Sequence, residues 1–421
     1  MKQKLNLILF IIIVIAFYNS VYAQWVEHPL NPLITSDIAL DGIMNDPSVI
    51  KDNGQYIMYY GAINGDFSES ETVRIFRATS VDGINWIRNS VPILTPGGIS
   101  SWDSIKVEAP SVIKSKSNNY LMYYSGNSDA AETGFQIGLA TSTDGISWTK
   151  YSSNPVLTLG NIGDFDELSV FEQSVVYDTI QSKYYLWYAG LSTLLEVKIG
   201  LAESIDGINW IKLGMVMQLD NERENINDAG LTNPNVIHCN GQFEMFYCLL
   251  LNEGQIVAPI WHSVSNDGLI WTKDIVPILQ RGDSATSWTG QGIHSPTVLV
   301  DSGNYLMWYG GTHTDYFNFF ESGIGLASKP ISTGFGEFNE ENDYTIYPNP
   351  TNQHLTLEFN NSKHENCTLI LYNSQGRLVR KITNIRTDRV KVERKNLTSG
   401  LYFFQLCANG EVRSISKLIV E

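Results

Sequence analysis

Asp46-Pro47-Ser48-Val49-Ile50, followed by Gln55-Tyr56-Ile57-Met58-Tyr59-Tyr60-Gly61, recurs along the chain. Its proline returns as Pro110 in V-E-A-P-S-V-I-K, ahead of Tyr120-Leu121-Met122-Tyr123-Tyr124. Gln173 holds the same place in F-E-Q-S-V-V-Y, ahead of Tyr185-Leu186-Trp187-Tyr188. Pro234 opens P-N-V-I before Phe243-Glu244-Met245-Phe246-Tyr247, and Pro296 opens P-T-V-L before Tyr305-Leu306-Met307-Trp308-Tyr309. The steps between these positions are 63, 63, 61 and 62 residues. Trp25, Trp86, Trp148, Trp210 and Trp271 keep the same beat, at 61, 62, 62 and 61. Two independent markers on one period signal a repeat protein.

Each unit reads as four short strands. A β-branched run leads through a turn to an aromatic strand; a third strand such as Ile137-Gly138-Leu139-Ala140-Thr141-Ser142 follows, then an Asp-Gly turn, then a strand at the tryptophan. Asp-Gly between two apolar runs marks a tight hairpin, because glycine adopts φ > 0 at no steric cost. Four strands per unit with little helical periodicity is the pattern of a propeller blade, so five units predict an all-β, five-bladed β-propeller. The tyrosine and tryptophan pairs of the second strands recur in every unit and are expected between blades.

D-G-x-x-W stands at Asp82, Asp144, Asp206 and Asp267, and these aspartates read as structural hairpins. The fifth unit ends at Ile324-Gly325-Leu326-Ala327-Ser328 without that motif. Trp25-Val26-Glu27-His28-Pro29-Leu30-Asn31-Pro32-Leu33 matches Trp148 through Asn154-Pro155-Val156-Leu157. The N-terminal stretch is therefore predicted to supply the missing strand and leave no open edge at the seam.

Residues 1–24 carry Lys2 and Lys4, an apolar run from Leu5 to Phe17 and Ala23 near the exit, and read as a secretory signal peptide. The apolar run is short for a span and no other stretch reads as one, so no transmembrane segment is expected after cleavage. Residues 25–330 form the propeller, 331–345 an acidic linker, and 346–421 a small antiparallel β-sandwich. The net charge is −16, made of +3 from residue 341 onward and −19 before it. Such an acidic propeller argues against nucleic acid as partner. Four cysteines make no disulfide framework. Cys239 and Cys248 are out of register across their hairpin, whereas Cys367 and Cys407 could meet.

A propeller's chemistry lies at the mouth of its channel, and the repeat indexes that ring. One residue before the repeated position stand Asp46, Ala109, Glu172, Asn233 and Ser295; two before it stand Asn45, Glu108, Phe171, Thr232 and His294. Asp46, Glu108 and Glu172 are the candidate catalytic carboxylates, since crowded carboxylates have pKa values pushed apart, as cleavage of a glycosidic bond requires. Strand alternation sets Glu108 one residue out of phase with the other two. Asn45, Asn233 and His294 are candidate substrate contacts on the ring. Trp102, Asp103, Phe165, Asp166 and Trp288 are candidates on the loops that enter the innermost strands, with Tyr316, Phe317, Phe319 and Phe320 on the last long loop.

Met44-Asn45-Asp46-Pro47 and Ala109-Pro110-Ser111-Val112 resemble the first- and second-blade motifs of glycoside hydrolase families 32 and 43, over residues 25–330. The resemblance implies that Asp46 is nucleophile or general base, that Glu172 orients substrate, and that His294 lies near the channel axis, sometimes beside a structural calcium; no cofactor is required. Those families take their acid from a glutamate two residues before the fourth-blade proline, where this chain has Thr232 followed by Asn233. Glu108 takes that role, or a loop carboxylate such as Asp228 or Glu224 does, or the site no longer cuts.

Y-P-N-P-T, L-Y-N-S-Q-G-R-L-V, L-T-S-G-L-Y-F-F and the terminal K-L-I-V, all within residues 346–421, resemble the C-terminal sorting domain of type IX secretion cargo. This resemblance implies export through the periplasm to the cell surface or medium, with the type IX machinery as partner. Two functions stay open: a secreted glycoside hydrolase acting on an oligo- or polysaccharide, and a non-catalytic propeller binding glycan or protein at the cell surface.

Overall fold

The computed structural model describes residues 25–37, 42–63, 72–129, 133–219, 228–239, 241–251, 259–274, 276–282, 287–290, 292–312, 322–331, 344–362, 364–373, 378–395, 397–408 and 411–420. Residues 1–24, Glu224 and the Tyr316–Phe320 cluster lie outside them. The chain divides into two compact units, Met1–Ile331 and Ser332–Glu421.

In the first unit each repeat folds as an antiparallel meander. Ile43–Asp52 pairs with Gln55–Ile63, then Val73–Ser80, then Ile87–Arg88. The later repeats follow the same order, with innermost strands Lys106–Lys114, Ser169–Asp178, Asp228–Cys239 and Gly292–Asp301. The second strands are buried almost end to end, Tyr56 through Ala62 for example. Their continuous apolar reading follows, because sheets cover both faces.

Two cyclic interactions join neighbouring repeats. The residue after the repeated position accepts a hydrogen bond from a backbone N–H of the next repeat. Val112 N–H donates to Ser48 Oγ (3.2 Å), Val175 to Ser111 (3.0 Å), Val236 to Ser174 (2.8 Å) and Val298 to Asn235 Oδ1 (3.0 Å). Val49 N–H then donates to Thr297 Oγ1 (3.2 Å), which returns the series to its start.

Each tryptophan of the second marker also meets the preceding repeat's aromatic strand edge to face. Trp148 meets Tyr59 at 5.6 Å, Trp210 meets Tyr123 at 5.6 Å, Trp271 meets Trp187 at 6.1 Å and Trp86 meets Trp308 at 6.1 Å. Such pairs add about 0.5–1.5 kcal/mol beyond their buried area. Tyr59, Tyr123, Trp187 and Trp308 then donate to the carbonyls of Gly145, Gly207, Gly268 and Gly83, which ties the Asp-Gly turns into the interfaces. The turns themselves are built as expected: Asp82 Oδ1 accepts from the N–H groups of Ile84 (2.9 Å) and Asn85 (2.8 Å). Gly83 has φ +76°, and a Cβ there would stand 2.9 Å from the Trp308 ring.

The N-terminal stretch closes the unit. Val26 pairs with Ser328 and Ile34 with Ile324. Trp25 meets Phe246 edge to face at 5.9 Å, the contact its counterparts make elsewhere. Asn31 donates to Tyr309 Oη and the Leu326 carbonyl, as Asn154 does to Tyr124 Oη and the Leu139 carbonyl.

The second unit has two sheets, one of Tyr344–Tyr347, His354–Phe359 and Arg389–Glu393, the other of Cys367–Asn373, Leu378–Ile385, Gly400–Ala408 and Glu411–Val420. Leu357, Leu369, Leu371, Phe404 and Leu418 are among the residues of its core. All four cysteines are free. Cys367 stands opposite Ala408 and Thr368 opposite Cys407, so alternation turns the two thiols to opposite faces.

Removing one acceptor tests the girdle. Ser174→Ala leaves the Val236 N–H buried and unpaired, which costs about 1–3 kcal/mol. Chemical denaturation is expected to give a lower midpoint with an unchanged m-value; an unchanged midpoint would show that the girdle carries no stability.

Candidate functional site

At the repeated proline every innermost strand skips a step against its partner. The register shifts fall between Asn45 and Ser48, Glu108 and Ser111, Phe171 and Ser174, Thr232 and Asn235, and His294 and Thr297. In each bulge the residue before the repeated position is left-handed: Asp46 φ 51°, Ala109 47°, Glu172 51°, Asn233 49° and Ser295 50°. Asp and Asn tolerate this region, whereas Ala, Glu and Ser do so at a cost of about 1–3 kcal/mol each. A bulge re-aims a side chain out of the ladder, and here it turns all of these residues toward one cavity of about 40 Å³. That volume holds a few waters. Residues 64–71, 130–132, 220–227, 252–258 and 313–321 lie outside the described residues.

The cavity joins Asp46 and Glu172 and mixes them with Asn233, Ser295 and the methyl of Ala109. Glu172 Oε2 accepts hydrogen bonds from Thr232 Oγ1 and, at 2.9 Å, from the Asn233 N–H. Burial and the neighbouring Asp46 charge outweigh those donors and push the Glu172 carboxyl up to about 7. Burial also raises Asp46, opposed by Ser295, whose Oγ donates at 2.5 Å to Oδ1. The two carboxylates thus share one cavity with different donors, Ser295 for Asp46 and Thr232 with Asn233 for Glu172, and unlike surroundings are what separate an acid from a base.

Several sequence expectations resolve differently. Glu108 does not line the cavity. Its Cβ faces the neighbouring repeat, 3.5 Å from where a Cβ on Gly61 would stand, because successive side chains of a strand alternate. Asn45 pairs with Gly61 and is likewise absent from the lining. His294 lies one step behind the ring, 3% exposed, with Nδ1 3.1 Å from Ser295 Oγ. Among the described residues no group of three or more His, Cys, Asp or Glu side chains has the arrangement of a metal site.

The loop candidates turn out to repeat. Trp102 stacks on Tyr124 and Phe165 on Tyr188, at 5.8 and 6.0 Å, and Trp288 packs at a tilt against Tyr309, at 5.4 Å. Glycines leave the slot: a Cβ on Gly126 or Gly138 would stand 2.5 or 2.8 Å from Trp102. Asp103 accepts from Tyr124 Oη (3.0 Å) and Lys150 Nζ (2.5 Å), and Asp166 from Tyr188 Oη (2.9 Å) and Lys212 Nζ (2.6 Å). Both are at least 98% buried, so these pairs lock the loops onto the sheets. Sequence reasoning missed Thr232 and Ser295 as partners of the carboxylates. The signal was present, since both sit at the two indexed positions before the proline.

Residues 39–227 match the family model described as glycosyl hydrolases family 32 N-terminal domain, and residues 345–421 match the secretion system C-terminal sorting domain. An uncharacterized protein of Mycobacterium tuberculosis is 27% identical over 254 residues, which cover 56% of this chain and 75% of that one. Among solved structures, β-1,2-mannobiose phosphorylase from Listeria innocua aligns with a TM-score of 0.56 at 15% identity, over 73% of this chain and 97% of the other. A glycosyl hydrolase from Bacteroides ovatus aligns at 0.54 and 18%, over 73% and 94%. At these identities the likeness speaks for the fold. The chain thus has a propeller-like fold like that of glycoside hydrolases and phosphorylases, with residues 39–227 similar to the N-terminal domain of family 32 glycosyl hydrolases and residues 345–421 similar to the secretion system C-terminal sorting domain.

Proposed function

We propose that the chain is an exported carbohydrate-active protein in which a five-bladed ring holds Asp46 and Glu172 as the acid–base pair for cleavage of a glycosidic bond. The observation that carries this reading is the shared cavity, in which Glu172 is pushed up to about 7 beside Asp46. Glu172, protonated near neutrality, is the proton donor to the leaving oxygen. Asp46, which accepts from Ser295 Oγ, is nucleophile or base toward the anomeric carbon. This supplies the acid that the fourth repeat lacks at Thr232 and Asn233. The blade count is supported by the hydrogen-bond girdle that returns from Thr297 to Val49.

Reducing-sugar release from a panel of plant, algal and host glycans tests the reading. Asp46→Asn and Glu172→Gln are each expected to lower kcat by about 10²–10⁴-fold on a glycan that the native protein turns over. The rate requires protonated Glu172, so kcat/KM is expected to fall as pH rises through about 7. A native protein that turns over no glycan, but loses glycan binding on Asp46→Asn, would favour the binding module instead.

Stability gives an independent readout. The folded carboxyl at about 7 lies above its ordinary 4.5, so the folded state keeps a proton that the unfolded chain releases between those values. The contribution is full below pH 4.5 and is lost as pH rises through about 7. Glu172→Gln removes this dependence, and above pH 7 the variant is expected to be more stable than the native protein by up to about 3 kcal/mol. Thermal melts across that pH range check it.

Residues 343–421 serve as the export address. Their deletion is expected to leave a folded propeller in the periplasm with its activity intact, as read by fractionation; secretion at native levels would refute this.

A further inference from the structure

Going round the ring from Glu172 to Asp46, the intervening positions are Asn233 and Ser295. Ser295 has one hydroxyl proton and two lone pairs. At 2.5 Å from Asp46 Oδ1 that proton is committed to the carboxylate, which has none to give when ionised. Toward His294 Nδ1, 3.1 Å away, the serine oxygen can then only accept. Burial pushes the imidazole down to about 4, so near neutrality it is uncharged, and the tautomer that completes the contact with the serine oxygen is the one protonated on Nδ1. Gly310 makes room for the ring, since a Cβ there would stand 2.2 Å from its Cε1. The result is a directed chain, His294 Nδ1–H to Ser295 Oγ–H to Asp46 Oδ1, in which each bond polarises the next.

We propose that Ser295, oriented by His294, is the positioning residue that makes Asp46 the ionised member of the carboxylate pair and leaves the proton on Glu172. The proposal rests on reading these two as the acid–base pair. Among the described residues, the titratable groups facing Asp46 are Glu172 across the cavity, His294 behind Ser295, and the Cys248 thiol on the strand Gln242–Leu251, which burial keeps protonated. None of these brings a positive charge near neutral pH, so the serine hydroxyl is what opposes the burial of Asp46.

The test is a ¹³C NMR titration of side-chain carboxyls in the full-length protein, with Asp46 assigned through Asp46→Asn and Glu172 through Glu172→Gln. In the native protein Asp46 is expected to ionise before Glu172. Ser295→Ala is expected to raise the Asp46 midpoint by about one to two pH units, the worth of a hydrogen bond to a charged group. Ser295→Thr, which keeps the hydroxyl, is expected to titrate as the native protein does. Ser295→Gly also lacks the hydroxyl and suits φ 50°, so it stands in should the alanine variant not fold. An unchanged Asp46 midpoint in a folded Ala or Gly variant overturns the proposal. On a glycan that the native protein turns over, the acidic limb of kcat/KM should move up with the same variant and return with threonine. Absence of turnover counts against the acid–base reading alone, because the titration reads Ser295 without it.

Discussion

The structure depends on one recurring hydrogen bond, from a backbone N–H of each repeat to the side chain of the residue after the proline position in the repeat before it. Buried N–H groups must be paired, and no repeat can pair this one by itself. Each repeat therefore needs its neighbour, and the last needs the first. The edge-to-face tryptophans follow the same rule farther out, where each aromatic strand is finished by the tryptophan of the next repeat.

The candidate site follows from this constraint. The bulge that accompanies the girdle sets the preceding residue at φ near 50° and turns its side chain into the channel. The scaffold uses the residue after the proline position for cohesion between repeats and turns the residue before it toward the cavity. Chemistry can therefore differ from repeat to repeat without disturbing the ring. One repeat carries aspartate there, one alanine, one glutamate, one asparagine and one serine. The charge pattern of the cavity is thus written on a conformationally uniform frame. The same cohesion explains the loops, whose aromatic and aspartate pairs are spent on glycine-lined slots and lysine partners, not on solvent.

The repeat, the strand order, the structural role of the Asp-Gly turns and the pairing of Trp25 onto the last unit were all legible in the sequence. They rest on spacing, and spacing is a one-dimensional quantity that survives folding. Asp46 and Glu172 were legible as ring residues for the same reason. Glu108 was legible as a carboxylate but not as a neighbour of the other two. A shift of one residue along a strand reverses the direction of a side chain, and only the pairing register reveals which way it faces.

What the tertiary structure decided is the electrostatics. Sequence order says that Ser295 precedes a proline by one residue; it does not say that its hydroxyl reaches an aspartate 249 residues away. Nor does it say that Thr232 and Asn233, which stand where an acid was expected, instead donate to Glu172. Trp102 and Asp103 read as loop ligands because their partners, Tyr124, Gly138 and Lys150, are gathered only by the folded sheet. The sequence by itself determined which residues stand on the ring. Which of the carboxylates holds the proton depends on burial and on donors from other repeats, and those exist only once the ring is closed.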